Sequence, residues 1–215
     1  MKETVDDAMV KFAATSVSAT NNFLGPFRGN LTGATAAGPT AIRQSAFIAN
    51  LMNGTNTAFT GVADPRAIYL LRKNAAGTFK GVDIVKGQTV MTANDRPESF
   101  WGVAQTTSVN NTAPATDANC RFIFRNAAPF PVMTASEMSF LRAEAAFRKG
   151  DKSAALAAYK DGIAKHFDLL MTYYNTNVPT ADLLTTASKN AFLADTRVVP
   201  ANAADLTLTQ IMLQK

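Results

Sequence analysis

The chain has one histidine, His166, and one cysteine, Cys120, in 215 residues. A single imidazole excludes a histidine-based metal cluster, and a serine triad would have to use that ring with no nucleophile motif beside it. The lone thiol has no partner for an internal disulfide and leaves the redox compartment open. Charge is sparse at 17%, and the net +5 is scattered along the chain. There is thus no basic stripe of the kind that nucleic-acid binding requires. Apolar runs are interrupted by charges, threonines or prolines well before the about 20 residues that cross a bilayer. The glycines at 25, 29 and 33 lack the lysine and helix start of a phosphate-binding loop. Asp64, Asp83, Asp95 and Asp117 lie in irregular stretches without calcium-loop spacing and read as solvated turn carboxylates. Nothing local pairs two carboxylates across a cleft as glycosidase chemistry needs. No catalytic residue, metal ligand or cofactor is therefore assigned.

What is present is ample apolar material, 47% of the chain, and three regions of different texture. Residues 1–60 read as a helical stretch through Val10 and Phe12, a turn-rich loop over 21–39, and a helix over 42–51. Residues 61–130 read as irregular and loop-rich. Short strands are expected at 67–71, at 78–85 with partial alternation, and at 121–124. Residues 131–215 read as a helical hairpin and following helices, broken at 175–179 and 198–202. The acids in residues 1–7 interrupt any signal-like apolar stretch, and an amphipathic pattern is still gathering at Lys215. The length and apolar content suffice for a core and fit one domain or two small ones.

Residues 131–163 carry the clearest local pattern. Thr134 with Glu137 has capping-box spacing, and Met138, Leu141 and Ala145 fall on one helical face with Phe140 and Phe147 beside it. Gly150 stops this helix and Asp151 caps the next, where Ala154, Ala155 and Ala158 permit close approach and Tyr159 and Ile163 supply bulk. The two segments are expected to form an antiparallel pair. His166, just beyond, is expected on the exposed side of a helix end. Ala143, Gly150-Asp151, Ala155, Tyr159 and Gly162 also resemble the spacing of one tetratricopeptide repeat. Ser139 and Arg142 depart from that pattern, and Phe167 stands where it usually has proline.

Three ordered landmarks resemble the SusD/RagB family. The first is Asp64-Pro65-Arg66, followed by an apolar run and Gly77-Thr78-Phe79-Lys80-Gly81-Val82. The second is the hairpin, from Pro131-Val132-Met133-Thr134 through Phe140-Leu141, Ala143-Glu144-Ala145-Ala146 and Tyr159 to Gly162-Ile163. The third is the terminal Leu208-Thr209-Gln210-Ile211-Met212-Leu213-Gln214-Lys215, which resembles the start of a family helix containing Ile-x-x-Gln-Lys. The resemblance implies a SusD-like helical scaffold and a surface-exposed lipoprotein of the outer membrane. It implies non-catalytic capture of an oligosaccharide or polysaccharide for a SusC-like TonB-dependent transporter. It further implies that the three regions are one mainly α domain, truncated at both ends relative to a longer parent that has a signal peptide and a lipidated cysteine upstream as the only membrane attachment. A helical-repeat adaptor binding a peptide or protein is the alternative that the hairpin alone would suggest.

A sugar ring offers an apolar face and a fringe of hydroxyls, so its site needs an aromatic platform with polar partners around it. Trp101, the only tryptophan, stands beside Phe100 with Asn94, Asp95 and Arg96 close in sequence. It is the leading platform candidate. Tyr69, after Asp64-Pro65-Arg66, and Phe27, beside Arg28 and Asn30, are the other aromatic candidates.

Overall fold

A computed structural model describes residues 6–11, 44–74, 76–87, 90–92, 94–95, 97, 121–125 and 127–215. Its framework is the expected pair of helices, α3 (Ala135–Arg148) and α4 (Lys152–Tyr173). The Thr134 hydroxyl accepts from the Glu137 amide at 3.0 Å, and the Asp151 carboxylate accepts from the Ala154 amide at 2.9 Å. Between them Gly150 sits at φ +84°, a left-handed conformation that costs glycine nothing. Helix α4 runs on to Tyr173, ten residues beyond the matched hairpin, because its apolar spacing does not stop at Ile163. Tyr159, Ile163, Phe167 and Leu170 form one fully buried stripe along it.

The buried face of α3 differs from the expected one. Ser136, Ser139, Phe140 and Ala143 face inward, while Ala145 is exposed and Leu141 keeps 37% of its surface. Close approach of the helices explains this. A Cβ built on Gly162 would lie 2.8 Å from the Phe140 ring, so only small residues fit around that contact. The serines fit because their hydroxyls are satisfied. Ser136 donates to the Gly162 carbonyl at 2.9 Å, and Ser139 lies 3.0 Å from the Ala135 carbonyl and 2.7 Å from Asp161 Oδ2. Ala154, expected at the interface, is exposed.

Two short helices close the core. In both α5 (Thr186–Ala194) and α6 (Leu208–Gln214) a reciprocal capping box fixes the first turn, through Thr185 with Ser188 and Thr207 with Gln210. They bring Phe192 and Ile211 into the main core with Val198 and Leu206. Tyr159 reaches across and donates to the Val198 carbonyl at 3.0 Å, which satisfies its buried hydroxyl.

Several sequence expectations ahead of the hairpin give way to tertiary pairing. The stretch through Val10 is not helical: β1 (Ala8–Val10) pairs antiparallel with β2 (Phe130–Met133). Met9 packs against the core while Ala8 and Val10 face out, a period of two. Asp7 then accepts the Ala135 amide at 2.8 Å, which places a carboxylate at the positive end of α3. The helix expected over 42–51 is α1 (Ala46–Asn53), capped by Ser45. The apolar run after Arg66 is one helical turn, α2 (Ala67–Leu70), and Phe122–Phe124 is a 3-10 turn rather than a strand. Residues 78–85 contribute a single parallel bridge, Ser45 to Val82. The bridge accounts for Gly81, where a Cβ would fall 2.0 Å from the Ser45 carbonyl oxygen. Buried Gln44 fastens the same region: its carboxamide donates to the Arg72 and Lys80 carbonyls and accepts from the Arg72 amide. The fold is mainly helical, with one two-stranded sheet among the described residues.

Candidate functional site

Asp64-Pro65-Arg66 builds the polar centre of the molecule. Asp64 accepts from the Arg66 amide at 2.9 Å, and its two oxygens accept from Nε at 2.9 Å and Nη2 at 2.5 Å. Both side chains are buried, 8% and 4% exposed. The guanidinium lies 5.2 Å from the ring centroids of both Phe167 and Phe192. Its Nη2 also donates to Gln214 Oε1 at 2.7 Å, and its Nη1 lies 2.8 Å from His166 Nδ1. A guanidinium can only donate, so Nδ1 must accept and the imidazole is neutral with its proton on Nε2. Burial, and then the Arg66 charge, push the His166 pKa down to about 3. His166 therefore belongs to the middle of α4 and to this cluster, not to an exposed helix end.

The three sequence landmarks meet here. Arg66 reaches α4 through His166 and Phe167, and α6 through Gln214. Lys215 closes the circuit by pairing with Glu144 of α3 at 3.0 Å, which with Arg148 holds that carboxyl below its ordinary pKa. Beside the cluster is a pocket of about 210 Å³, lined by Leu51, Met52, Phe59 and Leu213 together with Arg66 and His166. Its polar groups are largely spent on one another, and the other walls are apolar. A ligand rich in hydroxyls would find few partners in it.

The loop candidates are placed unevenly. Trp101, Phe100, Arg96 and Phe27 lie outside the described residues. Asn94 is exposed, and the neighbouring Asp95 accepts from Lys80 Nζ at 2.6 Å. That bond, followed by the Thr92 hydroxyl, holds the Asp95 carboxyl below its ordinary pKa. Lys73, whose ammonium is 5.6 Å from the Phe79 ring centroid, precedes the same stretch. Lys80 and Phe79 were not among the sequence candidates, since no local pattern links residue 80 to residue 95. Tyr69 is a correction. It is 1% exposed, its hydroxyl donates to Asn175 Oδ1 at 2.6 Å and accepts from the Leu184 amide at 3.0 Å, and burial raises its pKa. Its ring has no face to offer a sugar. The apolar flanks Ile68 and Leu70 were the signal for this.

The described residues thus form a helical scaffold pinned by a buried guanidinium. The family described as Susd and RagB outer membrane lipoprotein, SusD-like, matches residues 49–195, and the chain belongs to it. Members are outer-membrane proteins that bind nutrients such as glycans and are generally not catalysts. No curated protein and no solved structure matches the chain. Among the described residues no helix is long and apolar enough to cross a membrane.

Proposed function

We propose that this chain captures a glycan at the bacterial surface and hands it to a SusC-like TonB-dependent transporter, performing no chemistry on it. The membership spanning residues 49–195 carries this reading. Attachment to the outer membrane is through an N-terminal lipid, so the chain itself needs no spanning segment. Trp101 with Phe100 is the stacking platform, and Asn94, Asp95 and Arg96 supply hydrogen bonds to the hydroxyl fringe. Phe27 is a further aromatic contact. The exposed Asn94 and the Lys80–Asp95 pair, whose side chains are 46% and 38% exposed, suit such a rim, because both can exchange water for sugar hydroxyls.

The test is retention of Trp101→Ala in affinity electrophoresis through a panel of polysaccharides. Loss of one stacking ring weakens binding by about 1–3 kcal/mol if sugar stacking resembles base stacking on aromatic side chains. Retention equal to that of the parent protein, with the fold intact by circular dichroism, would remove Trp101 from the site. Co-purification with the transporter tests the handover separately.

A further inference from the structure

A wider depression of about 650 Å³, sharing no lining residue with the pocket beside Arg66, lies between residues 57–60 and 196–210. Its polar lining is Thr57, Thr60, Thr196, Arg197, Asp205 and Gln210, with Ala58, Pro200 and Ala201 between them. The two sides are tied by Arg197, which donates to the Gly61 carbonyl at 3.1 Å while Nε and Nη2 hold Asp195 at 2.9 and 2.6 Å. The groove is thus braced by a cross-link between distant segments.

Its remaining hydrogen-bonding capacity is specific. Gln210 Oε1 is taken by the Thr207 amide and hydroxyl, each at 3.0 Å, so what Gln210 offers is the pair of Nε2 donors. Asp205 receives Asn202 at 3.3 Å on Oδ2, which leaves Oδ1 as an acceptor. Thr60 donates to the Asn56 carbonyl at 2.8 Å and keeps its lone pairs. Thr57 and Thr196 add two exposed hydroxyls, each able to donate and accept. Charge is balanced differently from a phosphate site. Asp195 neutralises Arg197, so Asp205 leaves the groove mildly acidic. Exposed hydroxyls, the Gln210 donors, the Asp205 acceptor and the pairing of Arg197 with Asp195 fit a neutral chain of hydroxyls and disfavour an anionic one.

We propose that this groove is a second saccharide subsite, taking a neutral oligosaccharide through hydrogen bonds rather than ring stacking. The proposal rests on the glycan-capture reading and deepens it. Without an aromatic platform its own affinity is weak, and it acts by adding to the avidity of the loop site for long chains.

Thr57→Val/Thr196→Val removes two hydroxyl partners, and Ala201→Arg blocks the groove with a long side chain. All three positions are exposed, so the fold should survive, as thermal melts would verify. The probes are neutral glucans, xylans and mannans, with polygalacturonate and alginate as acidic counterparts, read by affinity electrophoresis. Both variants should weaken retention on a bound neutral polysaccharide about tenfold, and the loss should add to that of Trp101→Ala. Parent-like retention of both variants on a glycan that the parent binds overturns the groove and leaves glycan capture standing. Binding of acidic polysaccharides alone overturns the neutral assignment. A parent protein that binds no polysaccharide overturns the capture reading and the groove with it.

Discussion

Acidification from pH 7 to pH 5 should weaken the fold through one residue, His166. Its imidazole is buried against Arg66, with Nδ1 2.8 Å from Nη1, and its pKa is pushed down to about 3. In the unfolded chain the same ring returns to an ordinary value near 6.5. Between those values the unfolded state binds the extra proton, so stability is complete above about pH 6.5 and falls as pH drops toward 3. Each unit below 6.5 costs about 1.36 kcal/mol, or about 2 kcal/mol at pH 5. Because the ring keeps part of its surface near solvent, about 1–2 kcal/mol is the expected loss. Asp64, Arg66 and Lys215 are the charged groups that line the pocket with the ring. The carboxyls whose folded pKa is lowered, Asp95, Glu144, Asp161 and Asp195, lose their contribution only at lower pH. Urea unfolding at the two pH values, for the parent and for His166→Gln, isolates the effect. Glutamine can still accept from Arg66 but cannot titrate, so its pH difference should shrink by about 1–2 kcal/mol. An equal pH dependence in both proteins would refute the buried neutral imidazole.

Three other changes probe the scaffold. Asp64→Asn leaves the Arg66 guanidinium buried without its counter-charge and should cost about 3–5 kcal/mol in chemical denaturation. Gly162→Ala drives a methyl into the Phe140 ring and should cost about 1–3 kcal/mol by calorimetry, with the helix pair displaced. Tyr69→Phe strips the partner from Asn175 and the Leu184 amide. It should lower the melting temperature at a cost of about 1–3 kcal/mol while leaving polysaccharide retention unchanged.

Local chemistry was legible where it acts over a few residues. Thr134, Gly150 and Asp151 start and stop their helices as their spacing predicts, because a cap needs only its own helix, although Glu137 does not close the reciprocal half of the capping box. The buried face of α3 was not legible. Hydrophobicity favoured Met138, Leu141 and Ala145, whereas the close contact at Gly162 selects small residues and admits serines whose hydroxyls find carbonyls on both helices. Neither was β1 legible, since three residues pair with partners 120 or more positions away. At the site, the burial of Tyr69 was foreshadowed by its neighbours, but the Lys80–Asp95 pair and the groove over 57–60 and 196–210 join segments that share no local pattern.

His166 shows why counting residue types misplaces a functional group. The sole imidazole was expected on the exposed side of a helix end, yet its acceptor nitrogen is committed to Arg66 and its pKa lies far below neutrality. A general base works best with its pKa near the operating pH, and burial holds this one well below that range. The same commitment gives Arg66 its reach. With Asp64 on one side, Gln214 on another and two phenylalanine rings flanking it, the guanidinium joins the segment after α1 to α4, α5 and α6. Asp64-Pro65-Arg66, the hairpin and Gln214-Lys215 are therefore parts of one tertiary lock. Each contacts another, and loss of Asp64 strands the buried Arg66 charge. Residues that choose a ligand have to sit where substitution leaves that lock intact, and exposed positions such as Thr57, Asn94 and Thr196 meet that condition.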